Sequence, residues 1–170
     1  MKELGFNMLR KHIKVEPEIF YHYCDKEGIL VMQDMVNSGV FRPLADTIFP
    51  TIGSIKKDDT KNVDRKRYDF FIEHSKGIIK HLYSHPCIVS WTIYNEGWGQ
   101  QDSTKAYRSL KELDPDRIFD TASGWFKPNE SDIDSYHVYF RNKILKTKET
   151  DKVLLLSEFG GVVRKVEGHV

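Results

Sequence analysis

The sequence predicts an α/β fold with parallel strands, on two observations. Short apolar, β-favouring runs alternate with longer stretches of helical period, and polar or ionisable residues stand at the ends of run after run. The chain's 170 residues have room for one ordinary domain. Hydrophobic residues at 39% and charged residues at 30% support a packed core and argue against disorder.

The first strand is predicted in GFNMLRKH, from Gly5 to His12. EPEIFYHYCDKEG follows as a helix, with Pro17 suited to its first turn and Gly28 to the residue just past its end. ILVMQDM, from Ile29, is too continuously apolar for a half-exposed strand, so it is expected to be covered on both faces. From Asp34 to about Asp64 the breakers Gly39, Pro43, Pro50 and Gly53 interrupt any period. A connection far longer than the usual length of about 2–6 residues is expected to border a site. RKRYDFFIEHSKGIIKHLYS then carries Tyr68, Phe71, Ile72, Ile79, Leu82 and Tyr83 at helical spacing, so one face is expected to pack on a sheet.

CIVSWTIYNE is the third strand, with Trp91 inside it expected in the core. DSTKAYRSLKELD forms a helix capped by Asp102 or Ser103, ahead of the turn Asp114-Pro115-Asp116. RIFDTASGW is the fourth strand and its mouth, DIDSYHVYF the fifth, RNKILKTKETD a short amphipathic helix and KVLLLSEFGG the sixth strand.

Strict alternation admits an open doubly wound sheet or part of a (β/α)8 barrel. A nucleotide-binding sheet needs a glycine-rich phosphate loop, and neither GxGxxG nor GxxxxGK[ST] occurs. Instead Arg10 and His12, Asp34, Asn95 and Glu96, His137 and Tyr139, and Glu158 cap successive strands. That is the barrel pattern, in which site residues project from the C-terminal ends of several strands. The expected fold is therefore a partial (β/α)8, or TIM, barrel.

Composition excludes several partners. Twenty-six basic and 25 acidic residues leave a formal charge of +1, so no global field draws the chain to nucleic acid or anionic lipid. The cluster Arg65, Lys66 and Arg67 has no interleaved aromatic platform and is expected to be a solvated face. Cys24 and Cys87 have no metal-ligand spacing and are expected to be buried thiols; His22 is expected to pack beside Cys24. His81 and His85 are four apart, but His85 precedes Pro86 and leaves the helical register, so a solvated helix end is expected there and no metal site. No cofactor is implied. No apolar run approaches the roughly 18–20 residues of a membrane span, and MKELGFNMLRKH lacks the apolar core of a signal peptide; a cytoplasmic location is expected.

Glu96 and Glu158 each emerge from an apolar strand. Burying a carboxylate is costly unless it is paired or hydrogen-bonded, which argues against a packing role for both. Two facing carboxylates serve glycoside hydrolysis: one protonates the leaving oxygen, and the other attacks or positions water. The two must behave differently at one pH, the acid raised by a dry or anionic neighbourhood and the nucleophile kept ionised by donors such as Arg10, His137 or Tyr139.

The strings GFNMLRKH, GILVMQDM, IYNEGWGQ, SGWF, DSYHVYF and LLLSEFGG, in this order, resemble the barrel domain of glycoside hydrolase family 2, which includes β-galactosidases, β-glucuronidases and β-mannosidases. The resemblance covers Gly5 to Gly161. It implies a retaining β-glycosidase with Glu96 as general acid/base and Glu158 as nucleophile. It further implies that Asn95 binds the hydroxyl beside the anomeric carbon and that Tyr139 lies near Glu158 with His137 along the same wall. Arg10 and His12 then support the nucleophile or the sugar, Asp34 reads substrate hydroxyls at a strand mouth, and Trp98 and Trp125 offer platforms for a pyranose. Gly97 and Gly99 are expected to let the backbone turn away after Asn95-Glu96.

A closed barrel takes eight strands and typically about 250 residues. The six strands here match the second to seventh of the family pattern, so residues 1–170 are expected to be one incomplete catalytic domain of a larger multidomain glycosidase. Open edge strands invite self-association. The expected partner is a β-linked sugar or oligosaccharide, with no nucleic acid and no membrane. The alternative function is a non-catalytic carbohydrate-binding or scaffold module that keeps the fold without turnover.

Overall fold

The structure is a computed structural model that describes residues 1–36, 63–97, 99–124, 127–139, 152–161 and 167–168. β1 (Met8–Lys11), β2 (Leu30–Asp34), β3 (Ile88–Asn95) and β4 (Ile118–Ser123) form one sheet in that order, and every pairing is parallel. β5 (Ile133–Tyr139) and β6 (Val153–Gly160) pair in parallel in a second sheet. The two meet where the Asp132 amide donates to the Phe119 carbonyl (3.0 Å) and the Thr121 amide to Ser131 Oγ (3.1 Å). All six strands occur where the sequence predicts them, and this parallel α/β arrangement is that of a partial TIM barrel. The predicted helix at 141–151 and residues 37–62 of the long connection lie outside the described residues.

Among the described residues, three helices cover the first sheet: α1 (Glu18–Glu27), α2 (Arg65–Leu82) and α3 (Ser103–Lys111). α1 ends at Gly28, whose φ of 65° is the left-handed value that glycine adopts without steric cost; the Gly28 amide donates to Asp25 O and the Ile29 amide to Cys24 O, satisfying the last carbonyls. α2 starts at Asp64, whose side chain accepts from the Arg67 amide, and turns Tyr68, Phe71, Ile72, Ile78, Ile79 and Leu82 into the core. Full burial of each large apolar side chain contributes about 1.5–3 kcal/mol. Trp91 and Ile93 of β3 join the same core at 0% exposure, as predicted for Trp91. β2 is buried from Val31 to Asp34, in line with a strand covered on both faces.

Three local expectations are corrected. Tyr83 is 47% exposed, because it caps α2 and its ring lies beside the Arg117 guanidinium instead of on the sheet. His22 is exposed, since the 3.6-residue period that buries Tyr21 and Cys24 turns it outward. His85 is buried, its Nδ1 2.6 Å from Asp25 Oδ2, while Asp25 Oδ1 accepts from the Cys87 amide at 2.8 Å. In β6, Val153 and Phe159 are 69% and 75% exposed.

The N-terminal ends of the strands carry structural polar groups. Asp114 accepts from Trp91 Nε1 at 2.9 Å and pairs with Arg117, whose remaining donors reach the Ile88, Tyr83 and His85 carbonyls. A groove of about 450 Å³ lined by Tyr83, Pro86, Ile88 and Arg117 lies at this end, away from the C-terminal strand ends that hold the two glutamates.

Asp120, in the middle of β4, is 1% exposed, and neither carboxylate oxygen meets a donor at hydrogen-bond geometry among the described residues. Burial, only partly offset by the nearby Ser135 hydroxyl and the charge of Arg10, pushes its carboxyl up to about 6. The folded state therefore binds this proton more tightly than the unfolded chain, and its stability falls as pH rises from about 4 to about 6. Asp120→Asn is expected to remove that slope and to stabilise the fold at pH 8 by on the order of 3 kcal/mol, read from urea unfolding at pH 4 and pH 8.

Candidate active site

Two strand registers assemble most of the site. The β3–β4 pairing sets Asn95 opposite Ser123, and the Glu96 amide continues it by donating to the Ser123 carbonyl at 3.2 Å. The β5–β6 pairing sets His137 opposite Glu158. Side chains at paired positions on one face stand within reach of each other. Arg10, from β1, then ties the two sheets together.

Arg10 uses its whole fork. Nε and Nη2 donate to Asp34 Oδ1 and Oδ2, both at 3.0 Å, a bidentate pair. Nη1 donates to Glu158 Oε1 at 2.8 Å and lies 3.2 Å from His137 Nε2. Nη2 also reaches Asn95 Oδ1 at 2.9 Å and Ser123 Oγ at 3.0 Å. Burial works against this charge, but Asp34 and then Glu158 outweigh it and hold the guanidinium above its ordinary value. A guanidinium never accepts, so His137 Nε2 is the acceptor and the ring proton sits on Nδ1. That Nδ1 is 2.8 Å from Glu96 Oε1, to which it donates.

Tyr139 lies between the two glutamates. Its hydroxyl donates to Glu158 Oε2 and is 3.0 Å from Glu96 Oε1. Burial, followed by the Glu158 hydrogen bond and the Glu96 charge, drives the phenol well above its ordinary range, so it stays protonated. Burial also pushes the Glu96 carboxyl up, yet the His137 and Tyr139 donors outweigh it and leave Glu96 below its ordinary value. The expectation of a raised acid is not met, because two donors converge on Glu96 Oε1. One oxygen of Glu96 and one of Glu158 lie within 4.8 Å of each other, with 15% and 27% of the two side chains exposed. Both carboxylates keep part of their surface open to solvent.

The predicted turn starts earlier than the glycines. Glu96 itself has φ 50°, in the left-handed region, followed by Gly97 at 74° and Gly99 at 66°. For a non-glycine residue this costs about 1–3 kcal/mol, strain that concentrates at functional sites. It turns the glutamate out of the strand line, toward His137 and Tyr139.

Of the other predicted site residues, His12 reaches Asn95 Nδ2 at 3.0 Å. Asp34 is 1% exposed, with both oxygens on Arg10 and Oδ2 also accepting from the Ile13 amide at 3.3 Å, so it anchors Arg10. Trp98 and Trp125 lie outside the described residues. Glu96, His137 and Glu158 could each turn a ligand atom to one cation. Arg10 Nη1 already supplies positive charge to two of the three, which makes a guanidinium the resident counter-ion of this cluster.

Ser123 and Gly124 were not singled out from the sequence, although both stand in the quoted string SGWF at a strand end. A Cβ on Gly124, whose φ is 86°, would meet His137 Nδ1 at 3.1 Å and Glu96 Cγ at 3.5 Å. Gly124→Ala is expected to push His137 off Glu96 and to lower kcat/KM at least tenfold on any substrate that needs this pair, with a Tm loss of only a few degrees.

Comparison with known proteins gives a consistent result. The family model described as Glycosyl hydrolases family 2, TIM barrel domain, matches residues 1–160. A putative beta-glucuronidase of Formosa agariphila is 26% identical over 133 residues, covering 78% of this chain and 11% of that protein. A beta-galactosidase of Yersinia enterocolitica is 26% identical over 138 residues, again covering 78% of this chain and 11% of the relative. The chain thus spans about a tenth of the length of these curated relatives. Among solved structures, the beta-D-glucuronidase of Dictyoglomus thermophilum shares the fold, with a TM-score of 0.60 and 18% identity over 82% of this chain and 24% of that one.

Proposed function

This chain belongs to glycosyl hydrolase family 2, and from that premise we infer that it carries the catalytic centre of a retaining β-glycosidase acting by double displacement. The observation that carries the reading is the approach of two partly exposed carboxylates, Glu96 and Glu158, to within 4.8 Å of each other. That is near the separation of about 5–5.5 Å used by retaining enzymes and leaves too little room for the water of an inverting one.

In the first step Glu158 attacks the anomeric carbon of a β-linked glycoside. The bond from that carbon to the leaving oxygen breaks, and the Glu96 proton passes to the oxygen. Arg10 holds Glu158 Oε1 and the Tyr139 proton holds Oε2, which aligns the carboxylate and keeps it ionised. Tyr139 has a single hydroxyl proton for two carboxylates. When that proton is committed to Glu158, Glu96 loses one of the donors that hold it down, which favours the protonated form that the first step needs.

In the second step Glu96 takes a proton from water, which attacks the glycosyl-enzyme ester and releases Glu158. Glu96 now acts as base, the state favoured by its His137 donor. Asn95 meets the hydroxyl beside the anomeric carbon, a contact that strengthens as the carbon gains positive character. Proton NMR of an aryl β-glycoside digest tests the reading: the β-anomer of the sugar is expected first, and first appearance of the α-anomer contradicts it.

A further inference from the structure

We propose that Ser123 is a positioning residue that sets which edge of the Asn95 carboxamide faces the sugar, a role that rests on the glycosidase reading above. Ser123 is at 0% exposure, and the β3–β4 register fixes it opposite Asn95. Its hydroxyl donates to Asn95 Oδ1 at 2.9 Å and accepts from Arg10 Nη2 at 3.0 Å. Arg10 Nη2 donates to the same Oδ1 at 2.9 Å.

An atom that receives donors from two sides is the carboxamide oxygen, because the amide nitrogen has no lone pair to offer. The opposite edge is then the donor edge, and Nδ2 donates to His12 Nε2 at 3.0 Å. Arg10 cannot enforce this orientation alone. The two protons on Nη2 face three acceptors, Asp34 Oδ2, Asn95 Oδ1 and Ser123 Oγ, whereas the Ser123 proton is directed at Asn95 Oδ1. The hydroxyl therefore biases the carboxamide against the flipped state that would turn its oxygen toward His12. A sugar hydroxyl that must meet the amine edge senses this bias, and a sugar lacking that hydroxyl does not.

Two readouts test the role. The first is the side-chain amide signal of Asn95 in a ¹⁵N-labelled protein, assigned by its disappearance in Asn95→Asp. Ser123→Ala is expected to shift it and accelerate its hydrogen exchange, and Ser123→Thr, which keeps the hydroxyl, to restore it. An unchanged signal in Ser123→Ala overturns the proposal. The second is kcat/KM on an aryl β-glycoside and on its 2-deoxy counterpart. Ser123→Ala is expected to lose about five- to tenfold on the first and less than about twofold on the second. Equal losses on both overturn it. A protein that hydrolyses neither glycoside contradicts the glycosidase reading alone, and the amide signal then decides the role of Ser123. Should Ser123→Ala not fold, Ser123→Cys, close in shape and a weak donor, carries the same comparison.

Discussion

Replacing Arg10 with methionine is expected to destabilise the fold by about 3–5 kcal/mol and to remove turnover with it. The buried guanidinium satisfies both oxygens of Asp34, one of Glu158, the Asn95 carbonyl and the acceptor nitrogen of His137. Methionine fills a similar volume but leaves Asp34, at 1% exposure, with only the Ile13 amide at 3.3 Å as a donor among the described residues. An uncompensated buried charge is the costly case, whereas an intact pair contributes little net stability. Arg10→Lys is expected to lie between, because an ammonium cannot reproduce the planar fork that holds Asp34 by two bonds. Urea unfolding of the three proteins checks this order. A loss under about 1 kcal/mol for methionine contradicts the hub role given to Arg10.

Replacing Glu96 with alanine is expected to cost about 10²–10⁴-fold in kcat/KM on a glycoside with a poor leaving group. On a nitrophenolate-type leaving group, which departs without protonation, the first step is expected to survive and the glycosyl-enzyme to accumulate, since the base for the second step is gone. Added azide, which attacks without a general base, is expected to restore turnover and release a β-glycosyl azide. Glu158→Gln is expected to lose turnover with both leaving groups and to gain nothing from azide. A variant pair that responds in the opposite sense assigns the two glutamates the other way round.

Much of the fold was legible because its signals are local. The alternation of apolar runs with helical period located all six strands, and Gly28 marked the end of α1 by the positive φ that it adopts. The ionisable strand ends were legible for the same reason, since Asn95, Glu96, His137, Tyr139 and Glu158 each interrupt an apolar run. Their partners were not. That Asp34 serves Arg10 depends on a contact across two strands, and that His137 bonds Glu96 depends on how the two sheets close on each other.

Small residues were missed on similar grounds. Ser123 gains its part from register, which pairs it with Asn95, and Gly124 from the space that a Cβ would occupy. Neither property is carried by residue type. The exposure of Phe159 and Val153 shows the converse: an apolar string reports burial only where another element covers it.

The most direct test of a nucleophilic Glu158 facing an acid/base Glu96 is to trap the ester between sugar and enzyme. The protein is incubated with a 2-deoxy-2-fluoro-β-glycosyl fluoride, digested and sequenced by mass spectrometry. A glycosyl adduct on Glu158 is the expected result; an adduct on Glu96, or on a residue outside the site, contradicts the account.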